Sequence, residues 1–417
     1  MTRPDLPDAL ARFRGSLPDD ARVYVGGCSG EPLSAAEAMA NDPSLAKGVT
    51  FSGIWIPGVN RTDWSALSET STVESIFISA DLRAGFEAGR VRFLPLPYTQ
   101  AWPWLETAAI DGAIVVTSPP DGQGRVSFGV SPDFAGAVIA RPDVVKLAII
   151  NPSMPAPPNA PTYPLDIFDL ATEQDTPLPE MAPVELPPAF AAIAGNIASL
   201  IEDGDTLQFG LGNVQQATLG ALTGHRGLSV HSGMISNPLM PLLKSGAVET
   251  VTAGVAIGTR ELYDYCADDP RLSFNPVSHT HALATLAAIP NFKAINSIIE
   301  VDLFGQANAE FINGKQVSGT GGLVDFLRGA GLSKGGRAIT ALASTARGGT
   351  ISRIVPRLAP NATSITRADI GTVVTEHGAA DLRGLAIDAR AGALIEIADP
   401  AFRDRLANDW DAIRSAM

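Results

Sequence analysis

Short, nearly continuous apolar runs recur along the chain, separated by turn signals or helical stretches. In the first half they are RVYVGG, GVTFSGIWIP, ESIFIS, VRFLPLP, GAIVVTS and VVKLAIIN. In the second half DTLQFGLG, LSVHSGMI, ETVTAGVAIG, SIIEVDLFG, RAITALAS, GTVVTEHG and ALIEIAD continue the pattern. Runs of this length, rich in β-branched residues, read as strands, and their continuity means burial on both faces. The expected class is α/β, with open, mostly parallel sheets covered by helices.

One stretch breaks the pattern. Between Pro152 and Pro188 lie 11 of the chain's 32 prolines, a density that excludes helix interiors and central strands. This predicts an α/β domain over residues 1–151, an extended connection over 152–188 and a second α/β domain over 189–417. The apolar TYPLDIFDL within the connection predicts packing across a surface. The halves also echo one another: DDARVYVGGCSGEPLSAAEAM and DGDTLQFGLGNVQQATLGAL both read acid-rich turn, strand, glycine turn, helix. Duplication and the ordinary glycine preference of strand-to-helix turns explain that echo equally well.

At 417 residues with 45% hydrophobic and 18% charged positions, the chain has ample length for large cores and no tract biased towards disorder. The N-terminus lacks an apolar signal core and no run approaches a membrane span of about 18–20 residues, so the expected location is cytoplasmic. Cys28 and Cys266 lie far apart without metal-site spacing, predicting buried free thiols. A net charge of −14 argues against a broad nucleic-acid face. It leaves room for a small polyanion held by backbone N–H groups.

Several segments are candidates for chemistry. GGCSGEP (26–32) and GLGN (210–213) sit between a predicted strand and a helix, where ligands bind in open α/β sheets. Either can cradle a phosphate or an oxyanion, or simply turn tightly; Gln215 occupies the place of a third fingerprint glycine, so a dinucleotide enzyme is disfavoured. SGTGGLVDFLRGAGLSKGG (318–336) puts glycines ahead of a helix LVDFLRGA with Asp325 in its opening turns. His279 and His281 could share a strand face, but no third metal ligand is identifiable, and no serine lies in GxSxG. In NSIIEVDLFGQANAE, Glu300 and Asp302 stand two apart among bulky apolar residues. On a strand they face one way, either near solvent at a strand end or into a crevice. A desolvated carboxylate in a crevice must be paired or hydrogen-bonded and is a competent nucleophile.

These segments together resemble the acetyl-CoA hydrolase/transferase branch of family I CoA-transferases, the group that includes 4-hydroxybutyrate CoA-transferases. The resemblance runs in order from about Val23 to Phe402 through VGGCSGEP, SPPDGQGRVSFGVSPDF, FGLGNVQQA, HSGMISNPLMPLLKSG, GTRELYDY, AINSIIEVDLFGQANAE, SGTGGLVDFLRGAGLSKGGRAITALAS, ISRIVP, VVTEHGAADLRG and ALIEIADPAFRDRL. It implies two similar open α/β domains with the active site in the cleft between them. It further implies Glu300 as the nucleophile of a ping-pong acyl-CoA:carboxylate transfer, through an acyl-glutamyl anhydride and a glutamyl-CoA thioester. Gly319, Gly321 and Gly322 match the family's CoA loop, and Gly210 and Gly212 the glycine turn opposite. Asp302 and Gln306 are candidates for orienting Glu300, and Lys334, Arg328 and Arg353 for meeting CoA phosphates. Acyl-CoA and a small carboxylic acid are the implied partners, with no metal or prosthetic group. Membrane and nucleic-acid partners are not expected, and for assembly there is only the prior that a homodimer is the commonest soluble state. The chain departs from the usual pattern at Val214-Gln215-Gln216, at Ser318 and over Ala307-Asn308-Ala309-Glu310-Phe311, which bears on acyl preference. An acyl-CoA hydrolase on the same site is the nearest alternative, and a CoA-ester-binding protein without turnover a distant one.

Overall fold

The structure, a computed structural model, describes residues 3–182, 185–187, 189–210 and 212–417. The last part of the expected connection, at residues 183, 184 and 188, therefore lies outside the described residues. The chain forms two compact units. The first comprises residues 1–182, 234–237 and 252–280; the second comprises 183–233, 238–251 and 281–417.

In the first unit the strands β1 (Arg22–Val25), β2 (Thr50–Gly53), β3 (Thr72–Ser75), β4 (Val91–Phe93), β5 (Gly112–Thr117), β6 (Val145–Ile150) and β7 (Leu170–Glu173) form one sheet in the order β4-β3-β2-β1-β5-β6-β7. Every pairing in it is parallel. β5 is buried at all six positions, which is why its sequence shows no alternation. The edge strand β7 lies inside the proline-rich stretch, a position that tolerates missing N–H donors in its neighbourhood. Further along the same stretch the Met181 N–H bonds the Gly258 carbonyl and the Tyr263 hydroxyl bonds the Pro179 carbonyl, so the segment packs onto its own unit.

The second unit is built on β8 (Thr206–Phe209), β9 (Leu228–Ile235), β10 (Phe292–Ser297) and, further along, β15 (Arg337–Ala341), β17 (Thr372–Thr375) and β18 (Gly378–Asp381). They run in the order β9-β8-β10-β15-β17-β18, parallel except for the last. The order β9-β8-β10-β15-β17 repeats β2-β1-β5-β6-β7 of the first sheet. In both, the first strand leads through glycines into a helix: α1 (Leu33–Asn41) after β1 and α2 (Asn213–Ala221) after β8. The echo between the halves is thus topological.

Three expectations need correction. SIIEVDLFG is not one strand: the Ile298 N–H still bonds Ala341 across the main sheet, but the Ile299 N–H bonds Asn308 instead. The chain changes ladder between consecutive residues, and β11 (Glu300–Asp302) joins a small separate sheet with β12 (Ala307–Asn308) and β16 (Ile354–Val355), in the order β12-β11-β16. ALIEIAD is not a strand but begins in the last turn of a helix over Ile387–Glu396, whose Ala391 and Leu394 are buried at helical spacing. Short apolar runs do not discriminate the two states, and the preceding IDARAG supplies good helix formers. His279 and His281 do not share a strand face either. His279 is exposed on the short helix α3 (Val277–Thr280) and His281 is buried just beyond it. Among the described residues no helix is long and apolar enough to cross a membrane.

The turn after β1 carries a buried polar network. Cys28, at φ 54°, and Asp133, at φ 27°, both occupy left-handed backbone that side chains disfavour. The Cys28 thiol donates to Asp133 Oδ2 at 3.6 Å. Asn60 holds the turn by donating to the Cys28 carbonyl and to Glu31 Oε2, each at 2.9 Å, and by accepting from the Cys28 N–H. Both cysteines are free and buried. Burial, partly offset by the thiol, pushes the Asp133 carboxyl up to about 7 from an ordinary 3.8. A carboxyl with a raised native pKa favours the folded state below its unfolded value, and that contribution is lost as pH rises through the native one. Urea unfolding from pH 5 to 8 should therefore show the native protein losing about 2 kcal/mol relative to Asp133→Asn; parallel curves would contradict the placement of that proton.

Candidate active site

The β11–β12 hairpin displays one acid and consumes the other. Val301 and Leu303 point into the core of the second unit with Ile298, Phe326 and Ile354, so Glu300 and Asp302 face the other way. Asp302, 1% exposed, closes the hairpin. Its backbone N–H bonds the Gln306 carbonyl and its own carbonyl accepts from the Gly305 N–H. Its Oδ1 accepts from the N–H groups of Phe304 at 3.1 Å and Gln306 at 2.8 Å. Its Oδ2 accepts from Gln306 Nε2 at 3.0 Å and the Leu358 N–H at 3.4 Å. Gln306 therefore serves Asp302, and Asp302 serves the turn; both shape the hairpin under Glu300 and neither bonds its carboxylate among the described residues.

Glu300 is half-buried and is paired across the ladder with Asn308, whose Nδ2 donates to Oε2 at 3.1 Å. Sequence reasoning missed Asn308. Its only signal was a polar residue eight positions on, across a turn rich in Asp, Gly and Gln. On the other side of β11 the Val301 N–H bonds the Arg353 carbonyl, which places the Arg353 backbone against β11 just before β16 begins. Arg353 N–H in turn bonds the carbonyl of Ser344, whose N–H and hydroxyl donate to the Glu376 carboxylate at 2.8 and 2.7 Å. Ser344 and Glu376 follow β15 and β17, so this second acid also stands at the carboxyl edge of the parallel strands, unremarked in the sequence.

The glycine segments reach the same edge. The Gly210 N–H bonds the Ile295 carbonyl, and an added Cβ at Gly210 would meet Asn296 Oδ1 at 2.8 Å. Asn296 and Gln208 are buried and bond each other side by side. Gly212, at φ 109°, caps α2 in backbone closed to other residues; Leu211 between the two lies outside the described residues. After Asn308 the chain makes a second hairpin of β13 (Phe311–Ile312) and β14 (Lys315–Gln316), and the Val317 N–H returns to the Glu310 carbonyl at 2.7 Å. Gln316 Nε2 ties Glu310 to the Ser318 carbonyl. The loop of Gly319, Gly321 and Gly322 thus starts beside the strand that faces Glu300.

That loop caps α4 (Leu323–Leu332), with Asp325 in its first turn. Among the described residues the amides of Gly319, Gly321 and Gly322 have no backbone acceptor, and they stand at the positive end of a ten-residue helix. A side chain at Gly322 would come within 2.4 Å of His281 Nε2. That ring is 2% exposed and packs on Phe326 at 4.5 Å. Burial, with a contribution from His231, pushes His281 down to about 3, so a neutral imidazole underlies the loop.

Two of the basic candidates lie elsewhere. Lys334 follows the far end of α4, roughly 15 Å along the helix from the loop at 1.5 Å per residue. Its carbonyl accepts from Asn291, just before β10 begins, so it belongs to the amino edge of the sheet. Arg328, on the outer face of α4, is paired through two nitrogens with Asp369 at 3.0 and 3.2 Å. Of the three, Arg353 alone is brought to the Glu300 strand.

The arrangement is a half-exposed carboxylate at the carboxyl edge of a parallel sheet, held by an amide and followed by a helix-capping glycine loop. Comparison with known proteins identifies the family. Residues 15–157 match the acetyl-CoA hydrolase/transferase N-terminal domain and residues 258–410 the C-terminal domain of that family. The chain is 34% identical over 407 residues to a 4-hydroxybutyrate coenzyme A transferase of Clostridium kluyveri, covering 94% of each. Among solved structures, RipA from Yersinia pestis superposes with a TM-score of 0.89 at 28% identity, covering 99% of this chain and 97% of that one. A 4-hydroxybutyrate CoA-transferase from Porphyromonas gingivalis superposes at 0.79 with 30% identity, covering 98% and 97%. The chain belongs to the acetyl-CoA hydrolase/transferase family of CoA-transferases.

Proposed function

We propose that the protein transfers coenzyme A between an acyl-CoA and a small carboxylic acid, with Glu300 as the covalent nucleophile. The observation that carries this is the isolation of the Glu300 carboxylate on its hairpin, bonded by an amide and paired with no cation among the described residues. A carboxylate left unneutralised keeps its nucleophilicity. In the proposed sequence it attacks the thioester carbonyl, the C–S bond breaks, and an acyl-glutamyl anhydride and CoA thiolate result. The thiolate attacks the Glu300 carbonyl carbon and expels the free acid, leaving a glutamyl-CoA thioester. A second carboxylate reverses the steps, and the kinetics are ping-pong.

The amides of Gly319, Gly321 and Gly322 at the start of α4 supply donors for the oxyanion and for the CoA moiety, the glycine turn at Gly210 and Gly212 gives a close backbone approach, and Arg353 meets negative charge on CoA. The relatives' names point to short carboxylic acids, 4-hydroxybutyrate among them, as the acceptor class. The family's description also covers hydrolases, in which water discharges the same intermediate; CoA release that is independent of added acid marks that reading.

Glu300→Ala should abolish transfer without loss of folded structure, and Glu300→Asp, with its carboxylate withdrawn, should lose on the order of 100-fold in kcat. Near-native rates in the first would remove Glu300 from the mechanism. Gly322→Ala should cost at least about tenfold in kcat/KM and 1–3 kcal/mol of stability, because the methyl group meets the buried His281 ring. Steady-state assays with paired thermal unfolding check both; a fully active, fully stable Gly322→Ala would mean the loop has room that the geometry denies it.

A further inference from the structure

We infer, on the basis that CoA esters are the substrates as proposed above, that two hairpins of the second unit form a basic arch that seats the phosphorylated nucleotide end of CoA. Their tips lie at Asn313 and Gly314 and at Arg347 and Gly348. The assignment is independent of which carboxylate reacts.

The first hairpin is that of β13 and β14; the second pairs Thr345–Ala346 with Ile351–Ser352. They rise on opposite sides of β11. The first leaves β12 after Asn308, the ladder partner of Glu300, and the second runs into β16 through Arg353, whose carbonyl accepts the Val301 N–H. Both therefore stand at the Glu300 end of the small sheet, and their tips meet: Arg347 Nη2 donates to Asn313 Oδ1 at 3.4 Å. Each tip turns through left-handed backbone, at Asn313 (φ 51°) and Gly314 in one and at Arg347 (φ 49°), Gly348 and Gly349 in the other. Asparagine and glycine tolerate that region, whereas an arginine held there is a constrained residue.

The arch departs from the rest of the chain in charge. The protein has a net charge of −14, yet over 311–318 and 344–353 it carries Lys315, Arg347 and Arg353 and no acid. Two acids at the feet are tied down, Glu310 by Gln316 Nε2 and Glu376 by the N–H and hydroxyl of Ser344. Lys315 and Arg347 are exposed, and Arg347 bonds no carboxylate among the described residues. Beside them Ile312 and Ile351, one on each hairpin, are 47% and 42% exposed. Cations next to uncovered apolar side chains fit a ligand that joins phosphates to a flat ring, and the nucleotide end of CoA has both. The reach fits too. Each tip stands roughly 10–13 Å from its foot at about 3.3 Å per residue, on the scale of the pantetheine arm that separates the thioester from the phosphates. A thioester at the carboxyl edge of the sheet thus leaves its phosphates at the arch. Lys334 and Arg328, the cations that the sequence offered for this purpose, lie elsewhere, and the arch supplies the charge in their place.

The test compares an acyl-CoA with the matching acyl-pantetheine, which has the same thioester and no nucleotide, as donors in a transfer assay. Native protein is set beside Arg347→Glu and the double variant Lys315→Glu/Arg347→Glu. Reversing the charges should raise KM for acyl-CoA about tenfold or more, with kcat and the KM for acyl-pantetheine each within about threefold of native. Arg347→Lys should recover most of the loss. Trypsin gives a second readout on the native chain, because it cuts after Lys315 and Arg347. Saturating CoA should slow both cuts about tenfold or more, and pantetheine should slow neither. A variant that raises KM for both donors alike, or tips that CoA leaves open to trypsin, would overturn the arch as the nucleotide seat. So would a double variant with native KM for acyl-CoA, while the CoA-transfer reading stands. If the native protein transfers CoA from no ester in a broad panel, that reading falls and the arch with it.

Discussion

The hairpin that carries Glu300 depends on the carboxylate of Asp302. Its two oxygens collect four N–H groups from Phe304, Gln306 and Leu358, so the chain reverses within four residues of Glu300. A buried carboxylate with that many donors is well satisfied, and removing it would strand them in a dry interior. The reversal sets Asn308 opposite Glu300 and starts the second hairpin, which delivers the glycine loop to the same place. One acid is spent on geometry, and the other stays half-buried on the hairpin.

Around that hairpin the parallel sheet does the rest. Parallel strands collect their carboxyl ends on one edge, and β8, β10, β15 and β17 each bring a polar or glycine-containing segment there: Gly210 and Gly212, the Glu300 hairpin, Ser344, and Glu376. The first unit uses the same device, with its strained Cys28–Asp133 turn following the central strand. That two halves with little similarity in sequence share strand order argues that the topology, and the edge it creates, is what both retain.

The strands and glycine turns were legible in the sequence because they rest on local patterns: continuous apolar runs for buried strands, glycines where a strand passes into a helix. ALIEIAD was misread because a run so short fits both periods. The role proposed for Glu300 rests on the order of motifs around it, since a carboxylate on a strand has several ordinary explanations. The roles of its neighbours were not legible. Asp302 and Gln306 stood in the motif, but whether they served Glu300 or the turn depended on the reversal. Asn308 required the cross-strand register, and His281 its packing beneath Gly322 from 41 positions away. Lys334 looked close to the loop in sequence, yet a helix of about 15 Å carries it to the other edge of the sheet.

The central claim is that Glu300 becomes covalently bonded to CoA. The most direct measurement is the intact mass of the protein after incubation with a panel of acyl-CoA esters and no acceptor acid, followed by peptide mapping. The account predicts an increase equal to bound CoA, located on the peptide that carries Glu300 and reversed by added carboxylate. Efficient CoA transfer with no adduct, or an adduct on another residue, would contradict it.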